Sequence, residues 1–200
     1  MSPIAHLVGS WLLALAVTDN PRDRKLVTLA GVLPDVDGLG VVADMAGSMI
    51  SGKENTFYYY QQYHHVLLHG WPGAVVVSLL LMCFARKKFP VLFWCLVAFH
   101  LHLLCDLIGS RGPEMGDRWP ICYSEPIFRH PIWFWKGQWK LDGWQNQSIF
   151  IILLITALWF AVKRGYSFVE VISRRLDAIF VKVLQKWFHD LWGGKNRSLS

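Results

Sequence analysis

The sequence predicts an all-α membrane protein with about five transmembrane helices and a C-terminal amphipathic helix. Of the 200 residues, 54% are hydrophobic and only 17% are charged, a balance typical of membrane proteins. Five apolar runs alternate with short polar or basic segments, and a sixth segment has helical rather than continuous hydrophobicity. These observations predict a single transmembrane domain over residues 1–165, followed by an amphipathic helix and tail over residues 166–200.

The apolar runs differ in how regular they are. In chain order they are Ile4–Val17, Leu26–Val42, Val66–Ala85, Phe89–Gly109 and Ser148–Val162. Pro34 interrupts the second run, where it breaks a helix. The long segment Ser110–Gln147 carries five of the 11 Trp residues, which is typical of a loop in the headgroup layer.

The last periodic segment extends from Ser167 to Trp192. Its apolar residues recur at a spacing of three to four, which indicates an amphipathic helix; they are Phe168, Ile172, Leu176, Ile179, Val183, Trp187 and Leu191. Basic residues occupy or border its other face. We expect this helix to lie on the membrane surface, and a partner-binding helix is the alternative.

The net charge of +6 comes from short basic clusters beside the apolar runs. They are Arg22–Lys25, Arg86–Lys88 and Lys163–Arg164, after the first, third and fifth runs. This distribution is typical of orientation signals and not of a nucleic-acid-binding surface, so we expect membrane lipids and no nucleic acid as partners. If all five runs cross the bilayer, the clusters are cytoplasmic, and the N-terminus and the loop 110–147 lie outside.

The fourth run ends in a pair of polar residues, His102 and Asp106. Four residues apart on a helix, they lie on one face and can bind one metal ion from adjacent positions. An unpaired Asp in the bilayer would cost about 2.5–3.5 kcal/mol on insertion scales. A structural His–Asp pair between helices is the alternative interpretation.

Three further polar clusters fall at the same predicted depth, near the outer ends of the first three runs. With the first pair they form one candidate metal set: His6, Asp35, Asp37, His64, His69, His102 and Asp106. Mixed nitrogen and oxygen donors favour Zn, with Mn or Fe as alternatives. Seven ligands suffice for two or more ions with bridging carboxylates. A proton relay is the competing hypothesis, but a relay would extend across the bilayer, whereas these residues cluster at one end.

Several motifs also occur in the order of a known family. They are Ser2-Pro3-Ile4-Ala5-His6, the segment Gly31–Asp37, His64 to His69, and His102-Leu103-Leu104-Cys105-Asp106. Over residues 2 to about 120 the chain resembles the YdjM family of bacterial inner-membrane proteins, which are assigned as metal-dependent hydrolases. The H-x-x-x-D element is also similar to the zinc-dependent phospholipase C and single-strand nuclease superfamily, which implies phosphodiester chemistry.

The resemblance implies the same seven metal ligands. His65 stands where the family usually has Arg, and Leu68 where it has Thr or Ser. Either His64 or His65 remains a candidate, because His65 and His69 are also four apart. We expect catalytic roles for His65, for Asp37 as a general base, and for Arg111 as a phosphate-binding residue; lipid headgroups are the alternative partners of Arg111, Arg118 and Arg129.

Taken together, these expectations describe a multi-pass protein of the bacterial inner membrane with its active site facing the periplasm. Its substrate would be a phospholipid or lipid-linked phosphate, hydrolysed at a phosphoester bond. A non-enzymatic membrane protein with a structural metal or His–Asp cluster, acting through partner binding, is the alternative. The sequence leaves the oligomeric state open.

Overall fold

The computed structural model describes residues 1–52, 57–64, 66 and 68–193, and these are mostly helical, as predicted. The α-helices, in chain order, are α1 (Pro3–Val17), α2 (Pro21–Ala30), α3 (Gly40–Ser51), α4 (Tyr58–Tyr63), α5 (Trp71–Cys83), α6 (Lys88–Gly109), α7 (Trp144–Arg164) and α8 (Arg174–Gly193). Leu33–Leu39 and Phe168–Val171 form 3₁₀ segments. One small antiparallel pair, β1 (Ile121–Cys122) with β2 (Ile132–Trp133), lies in the loop after α6.

Local sequence signals explain where the first helices begin. The Ser2 side chain accepts a hydrogen bond from the Ala5 amide, and Pro3 follows in the first turn of α1. The Asn20 side chain does the same for two amides at the start of α2, where Pro21 follows. Polar caps followed by proline are the usual start of a helix, because the first amides have no partner within the helix.

The chain between α2 and α3 is bent, and this bend positions two candidate ligands. Pro34 lies in the first turn of the 3₁₀ segment, and α2 makes an angle of 50° with the following Leu33–Ser51 stretch. Asp35 and Asp37 lie in this tighter segment. Irregular backbone at membrane depth is tolerated where it lines a polar site.

The first compact unit comprises Met1–Gln147. Small and β-branched residues allow α1, α2 and α6 to pack closely; this core consists of Ala14, Leu26, Val27, Ala30, Val91, Cys95 and Ala98. A second core joins α5, α6 and β1 through Ala74, Val77, Phe99, Leu103 and Ile121. Together these contacts fix α6 between the other helices of the unit.

The prediction of five spans is not supported. Only α6 and α7 are long and apolar enough to cross a membrane among the described residues, with a third span if α2 and Leu33–Ser51 count as one bent helix. Within the run Val66–Ala85, α5 begins only at Trp71, followed by Pro72. Its 13 residues cover about 20 Å, short of a bilayer core of about 30 Å. The run falls short because the residues before Trp71 turn toward the polar cluster described below.

The second compact unit comprises Ser148–Ser200. Ala161 on α7 packs against Val181 and Leu184 on α8. The Gln185 side chain donates a hydrogen bond to the Val162 carbonyl at 3.1 Å, which is one of the last carbonyls of α7 and has no partner within that helix. Asp177 is buried and accepts a hydrogen bond from the Ser167 amide at 2.9 Å.

Candidate metal centre

The seven predicted metal ligands converge in the first unit. His6 comes from α1, Asp35 and Asp37 from the 3₁₀ segment, and His102 and Asp106 from α6. His64 and His69 come from the segment between α4 and α5. The structure thus brings together residues separated by as many as 100 positions in the sequence.

Asp106 lies at the centre of the cluster and is almost fully buried. Its Oδ1 lies 3.2 Å from His6 Nε2, and its Oδ2 lies 3.1 Å from His102 Nε2 and 3.7 Å from His69 Nε2. The Ser110 hydroxyl donates a hydrogen bond to Oδ1 at 2.9 Å, and the Met1 amino group also contacts Oδ1. One carboxylate is therefore shared by three imidazoles.

Asp37 organises the other side of the cluster. Its Oδ1 lies 2.8 Å from His64 Nδ1, and its Oδ2 lies 2.9 Å from His69 Nδ1 and 3.2 Å from the Leu68 amide. An ionised carboxylate only accepts hydrogen bonds, so both imidazoles donate from Nδ1. In neutral His69 the lone pair is then on Nε2, the nitrogen nearer Asp106.

His102 is oriented in the same way by the backbone. Its Nδ1 donates a hydrogen bond to the Gly31 carbonyl at 2.9 Å, which leaves Nε2 as the atom with the lone pair. That Nε2 lies 3.7 Å from Asp35 Oδ1. The His6 ring stacks on the His102 ring with their centroids 3.8 Å apart. Two histidines therefore present Nε2 toward the carboxylates of Asp35 and Asp106.

Four residues of the cluster together fit a divalent metal ion. Asp35, His69, His102 and Asp106 each offer a ligand atom, and these atoms lie within 4.8 Å of one another. Within the described part of the chain, Asp35 Oδ2 and His102 Nε2 are buried and have no hydrogen-bond partner. Buried polar atoms without a partner are costly unless an ion or water completes the site. Two imidazole nitrogens and two carboxylate oxygens suit Zn, Mn or Fe.

A second group that could hold an ion consists of Asp37, His64 and His69. Both groups need His69, but a neutral imidazole has one nitrogen lone pair free for a metal. The residue shared between the groups is therefore a histidine, whereas the sequence analysis expects carboxylates to bridge the two ions.

The pKa of His69 responds to both carboxylates. Burial favours the neutral imidazole, but the hydrogen bonds and charges of Asp106 and Asp37 outweigh burial and raise its pKa to about 9. Without a metal ion, His69 is therefore protonated at neutral pH and forms ion pairs on both sides.

A cavity of about 460 Å³ opens beside the cluster. Its lining includes Asp35, His64, Asp106, Ser110, Tyr60 and Trp119. The Tyr60 ring lies 4.5 Å from the His64 ring, centroid to centroid. Burial and the nearby carboxylates raise the pKa of Tyr60 to about 12, so its phenol remains protonated and can donate a hydrogen bond.

The sequence analysis did not identify Tyr60, Gln138 or Gly31 as site residues. Tyr60 is four residues before His64 on a short helix, and that spacing could have indicated their contact. Gln138 is buried, and its amide donates to the Asp106, Leu107 and Trp119 carbonyls. Nothing in its sequence context predicts this, because the loop has no periodicity.

The predicted catalytic residues have different surroundings. Asp37 belongs to the cluster, as described. The Arg111 guanidinium donates to the carbonyls of Gln138 at 3.1 Å and Glu114 at 2.7 Å, and the described cavity lining contains its neighbours Ser110 and Gly112 but not Arg111. Arg118 and Arg129 are exposed on the same loop. His65 lies outside the described residues, so the choice between His64 and His65 rests on the observed contact of His64 alone.

Comparisons with curated proteins and with solved structures give no significant match. The family model described as YdjM inner membrane protein matches residues 1–170. This range contains all seven clustered residues together with α6 and α7, the two described helices that are each long and apolar enough to cross a membrane. The match confirms the resemblance inferred from the motifs, and the chain belongs to the YdjM inner membrane protein family.

Proposed function

We propose that this protein is a membrane-embedded, metal-dependent hydrolase that cleaves a phosphoester bond of a phospholipid or lipid-linked phosphate. The main support is the convergence of Asp35, His69, His102 and Asp106, whose ligand atoms lie within 4.8 Å of one another. They lie beside a cavity of about 460 Å³. A polar cluster with an adjoining cavity is the usual arrangement of a substrate site.

In this proposal Asp35, Asp106 and the Nε2 atoms of His69 and His102 hold one ion, with Zn as the first choice and Mn or Fe as alternatives. When bound, such an ion polarises a phosphoryl oxygen and lowers the pKa of a water molecule. A second ion is expected from the sequence. It would need either a His69 ring that has lost both of its N–H protons or binding by Asp37 and His64 without His69.

Asp37 and His64 are proposed to act together on the attacking water. The sequence analysis expects Asp37 itself to be the base. Both Asp37 oxygens already accept hydrogen bonds from histidines, whereas His64 lines the cavity. We therefore assign proton acceptance to His64 and orientation of its ring to Asp37, the relationship that activates histidine bases in hydrolases.

Tyr60 is proposed to bind the phosphoryl group. Its protonated phenol lines the same cavity as Asp35 and Asp106, where a hydrogen-bond donor offsets the negative charge that develops on the phosphoryl oxygens. Asp44 positions it, because its carboxylate accepts hydrogen bonds from the Tyr59 and Tyr60 amides at 2.9 and 2.8 Å. The helix α4 that carries Tyr60 is thereby attached to α3.

The cavity lining supports an amphiphilic substrate. Leu39, Val41 and Leu141 line it together with the charged residues of the cluster. A lipid phosphate would place its polar group against the charged residues and its apolar part against these side chains. The apolar part of the lining therefore favours a lipid phosphoester over a soluble one.

We further propose that the site faces the periplasm. The Asp23 carboxylate accepts hydrogen bonds from the Arg86 and Lys87 amides at 2.8 and 3.2 Å, so the first two basic clusters meet at one end of the unit. From there α6 continues for 14 residues to His102, about 20 Å along its axis. By the positive-inside rule the basic end is cytoplasmic, and the metal cluster is at the opposite end.

The proposal is tested by assaying purified, metal-loaded protein against a panel of phospholipids, polyprenyl phosphates and soluble nucleotides. We expect turnover of a lipid phosphoester, and we expect Asp37→Asn to abolish it, because an asparagine oxygen cannot accept from both histidines. At saturating metal concentration most of the metal should stay bound in this variant. Asp142→Asn, which changes an exposed carboxylate, should retain wild-type turnover.

Tyr60→Phe keeps the ring and removes only the donor, and we expect turnover to fall about 10²- to 10³-fold, as for other lost transition-state donors. Tyr58→Phe, at a residue that is 61% exposed, is the matched control. Metal-loaded, folded protein without activity on the whole panel would contradict the proposal and favour a structural metal site.

A further inference from the structure

We propose that α8 is a lipid-binding element whose exposed apolar stripe inserts into a leaflet of anionic lipids. The stripe consists of Leu176, Ile179, Val183 and Trp187, which are exposed by 44–63%. Their spacing of three, four and four residues places them along one side of the helix. A row of exposed large apolar side chains marks a site of contact with a protein or a membrane.

The apolar surface of α8 is divided into two adjacent parts. Val181 and Leu184 are buried against Ala161 of α7, together with the partly buried Phe180 and Phe188. The exposed stripe is a different side of the same helix. The internal packing of the second unit therefore accounts for only one of the two apolar sides.

The end of α7 shows where the membrane boundary lies. α7 is one of the two helices long and apolar enough to span a membrane, and α8 packs against its last turns at Ala161. In those turns the Lys163 ammonium lies 3.9 Å from the centre of the exposed Trp159 ring. Tryptophan and lysine at the end of a span are typical of the membrane–water interface. The contact with Ala161 therefore places α8 at the depth of the headgroups.

The charges beside the stripe determine which lipid it fits. Arg175, Lys182 and Lys186 are exposed, and their spacing of seven and four residues places them in a row within about 40° of one another around the helix. This row borders the stripe on the side of Ile179. Long basic side chains in this position reach the lipid phosphates while the apolar residues enter the acyl chains.

The test uses the full-length protein in bilayers of phosphatidylcholine alone or mixed with phosphatidylglycerol. The photoreactive residue p-benzoyl-phenylalanine replaces either Ile179 in the stripe or Ala178, an exposed residue that lies outside the stripe, about 100° around the helix from Ile179. After irradiation, mass spectrometry identifies the adducts. We expect lipid adducts at position 179, few at position 178, and a higher yield at position 179 in the anionic bilayer.

A charge-reversal variant then tests the basic row. In Lys182→Glu/Lys186→Glu, the ratio of adduct yields between anionic and neutral bilayers should fall at least about threefold. The matched control Lys136→Glu/Lys140→Glu makes the same change in net charge on the exposed loop after α6 and should leave the ratio unchanged.

Protein adducts in place of lipid adducts at position 179, in cell membranes or in bilayers, would overturn the proposal in favour of a protein partner. Equal lipid yields at positions 178 and 179 would also overturn it. Both outcomes can be measured without the charge-reversal variant, so the test does not depend on its folding.

Discussion

Single atoms determine what the cluster can bind. His69 and His102 each use Nδ1 for a hydrogen bond within the protein, to Asp37 and to the Gly31 carbonyl. In the neutral rings Nε2 therefore carries the lone pair and lies on the side of Asp106. Such hydrogen bonds from ligating histidines fix the ring orientation and strengthen metal binding. These hydrogen bonds orient both histidines of the four-residue group Asp35, His69, His102 and Asp106.

We expect the purified protein to retain between one and three transition-metal ions per chain, with Zn the most abundant, as the number of ligands allows. His102→Ala or Asp106→Ala should lower occupancy strongly, because each removes a ligand of the four-residue group. Elemental analysis of monodisperse protein is the measurement.

His100→Ala is the matched control for metal occupancy, since His100 contacts the Leu96 carbonyl and the Tyr123 hydroxyl and lies outside both metal groups. Folded wild-type protein that neither contains metal nor binds it when offered would contradict the metal assignment.

Metal binding should also depend on pH through His69. Its pKa of about 9 means that, below this pH, an incoming ion must displace a proton. The apparent affinity should therefore rise about tenfold per pH unit between pH 7 and 8.5 and level off above pH 9. Titration with Zn in chelator-buffered solutions measures this dependence.

In the metal-free protein, the contribution of His69 to folding stability changes with pH in the opposite direction. The folded pKa of His69 is above its ordinary value of 6.5, so its ion pairs stabilise the fold fully below pH 6.5, and this contribution is lost as the pH rises through about 9. A Zn affinity that does not change between pH 7 and 8.5 would contradict binding of the ion by a His69 side chain that is protonated at neutral pH.

Among the elements, the junction between α2 and the 3₁₀ segment matters most. Gly31 lies there, and a Cβ atom at this position would come within 1.9 Å of Ser10 Oγ on α1. The close approach is what places the Gly31 carbonyl against His102. The junction therefore joins the packing of α1 and α2 to the orientation of a metal ligand.

Gly31→Ala should destabilise the protein by about 1–3 kcal/mol, as overpacking does, and should reduce metal occupancy. Ser10→Gly removes both side-chain atoms that the new Cβ would meet, so the double variant should recover most of both losses. Thermal unfolding in detergent and elemental analysis are the measurements.

Gly47→Ala in α3 is the control for that substitution, because a Cβ there meets nothing within 4 Å; it should be neutral or stabilising by up to about 1 kcal/mol. Failure of Ser10→Gly to rescue Gly31→Ala would locate the constraint elsewhere.

For the whole molecule, the orientation in the membrane decides which leaflet the site can reach. Lys87 immediately precedes α6, and Lys136 lies in the loop that follows it. If α6 crosses the bilayer, these two positions are on opposite sides whatever the total number of spans. Lys136 is exposed, whereas nearby Gln138 is buried and binds three carbonyls, so Lys136 tolerates a tag better.

In intact spheroplasts, an epitope tag at Lys136 should be accessible to protease added outside the cells. A tag at Lys87 should be protected until the membrane is permeabilised. The expectation follows from the basic clusters at the Lys87 end. The reverse pattern would place the metal cluster in the cytoplasmic leaflet.

The parts of this molecule that could be predicted are those governed by spacing. His102 and Asp106 are four apart on a continuous apolar helix, so their shared face follows from the helix repeat. The meeting of four polar clusters was also expected, from five runs that all cross the bilayer; the residues do meet, although five spans are not supported. The family followed from the motifs around these same residues.

Other features depend on three-dimensional contacts that the sequence pattern does not contain. The run Val66–Ala85 has the hydrophobicity of a span, but its first residues turn toward Asp37, and the helix begins only at Trp71. The pattern likewise does not specify which nitrogen of His69 contacts Asp37. Gln138 has no signal because a polar residue in a loop is ordinarily exposed.

The hydrogen bonds that hold His69 and His102 have a consequence for how the protein is assembled in the cell. Small zinc domains remain unfolded until they acquire their ion, because only the ion orients their ligands. Here a carboxylate and a backbone carbonyl orient the rings, so the chain can insert and fold before any ion arrives. If the protein has the proposed hydrolase activity, metal supply would then control that activity without controlling the abundance of the folded protein, and a metal-starved cell would accumulate an intact, inactive pool.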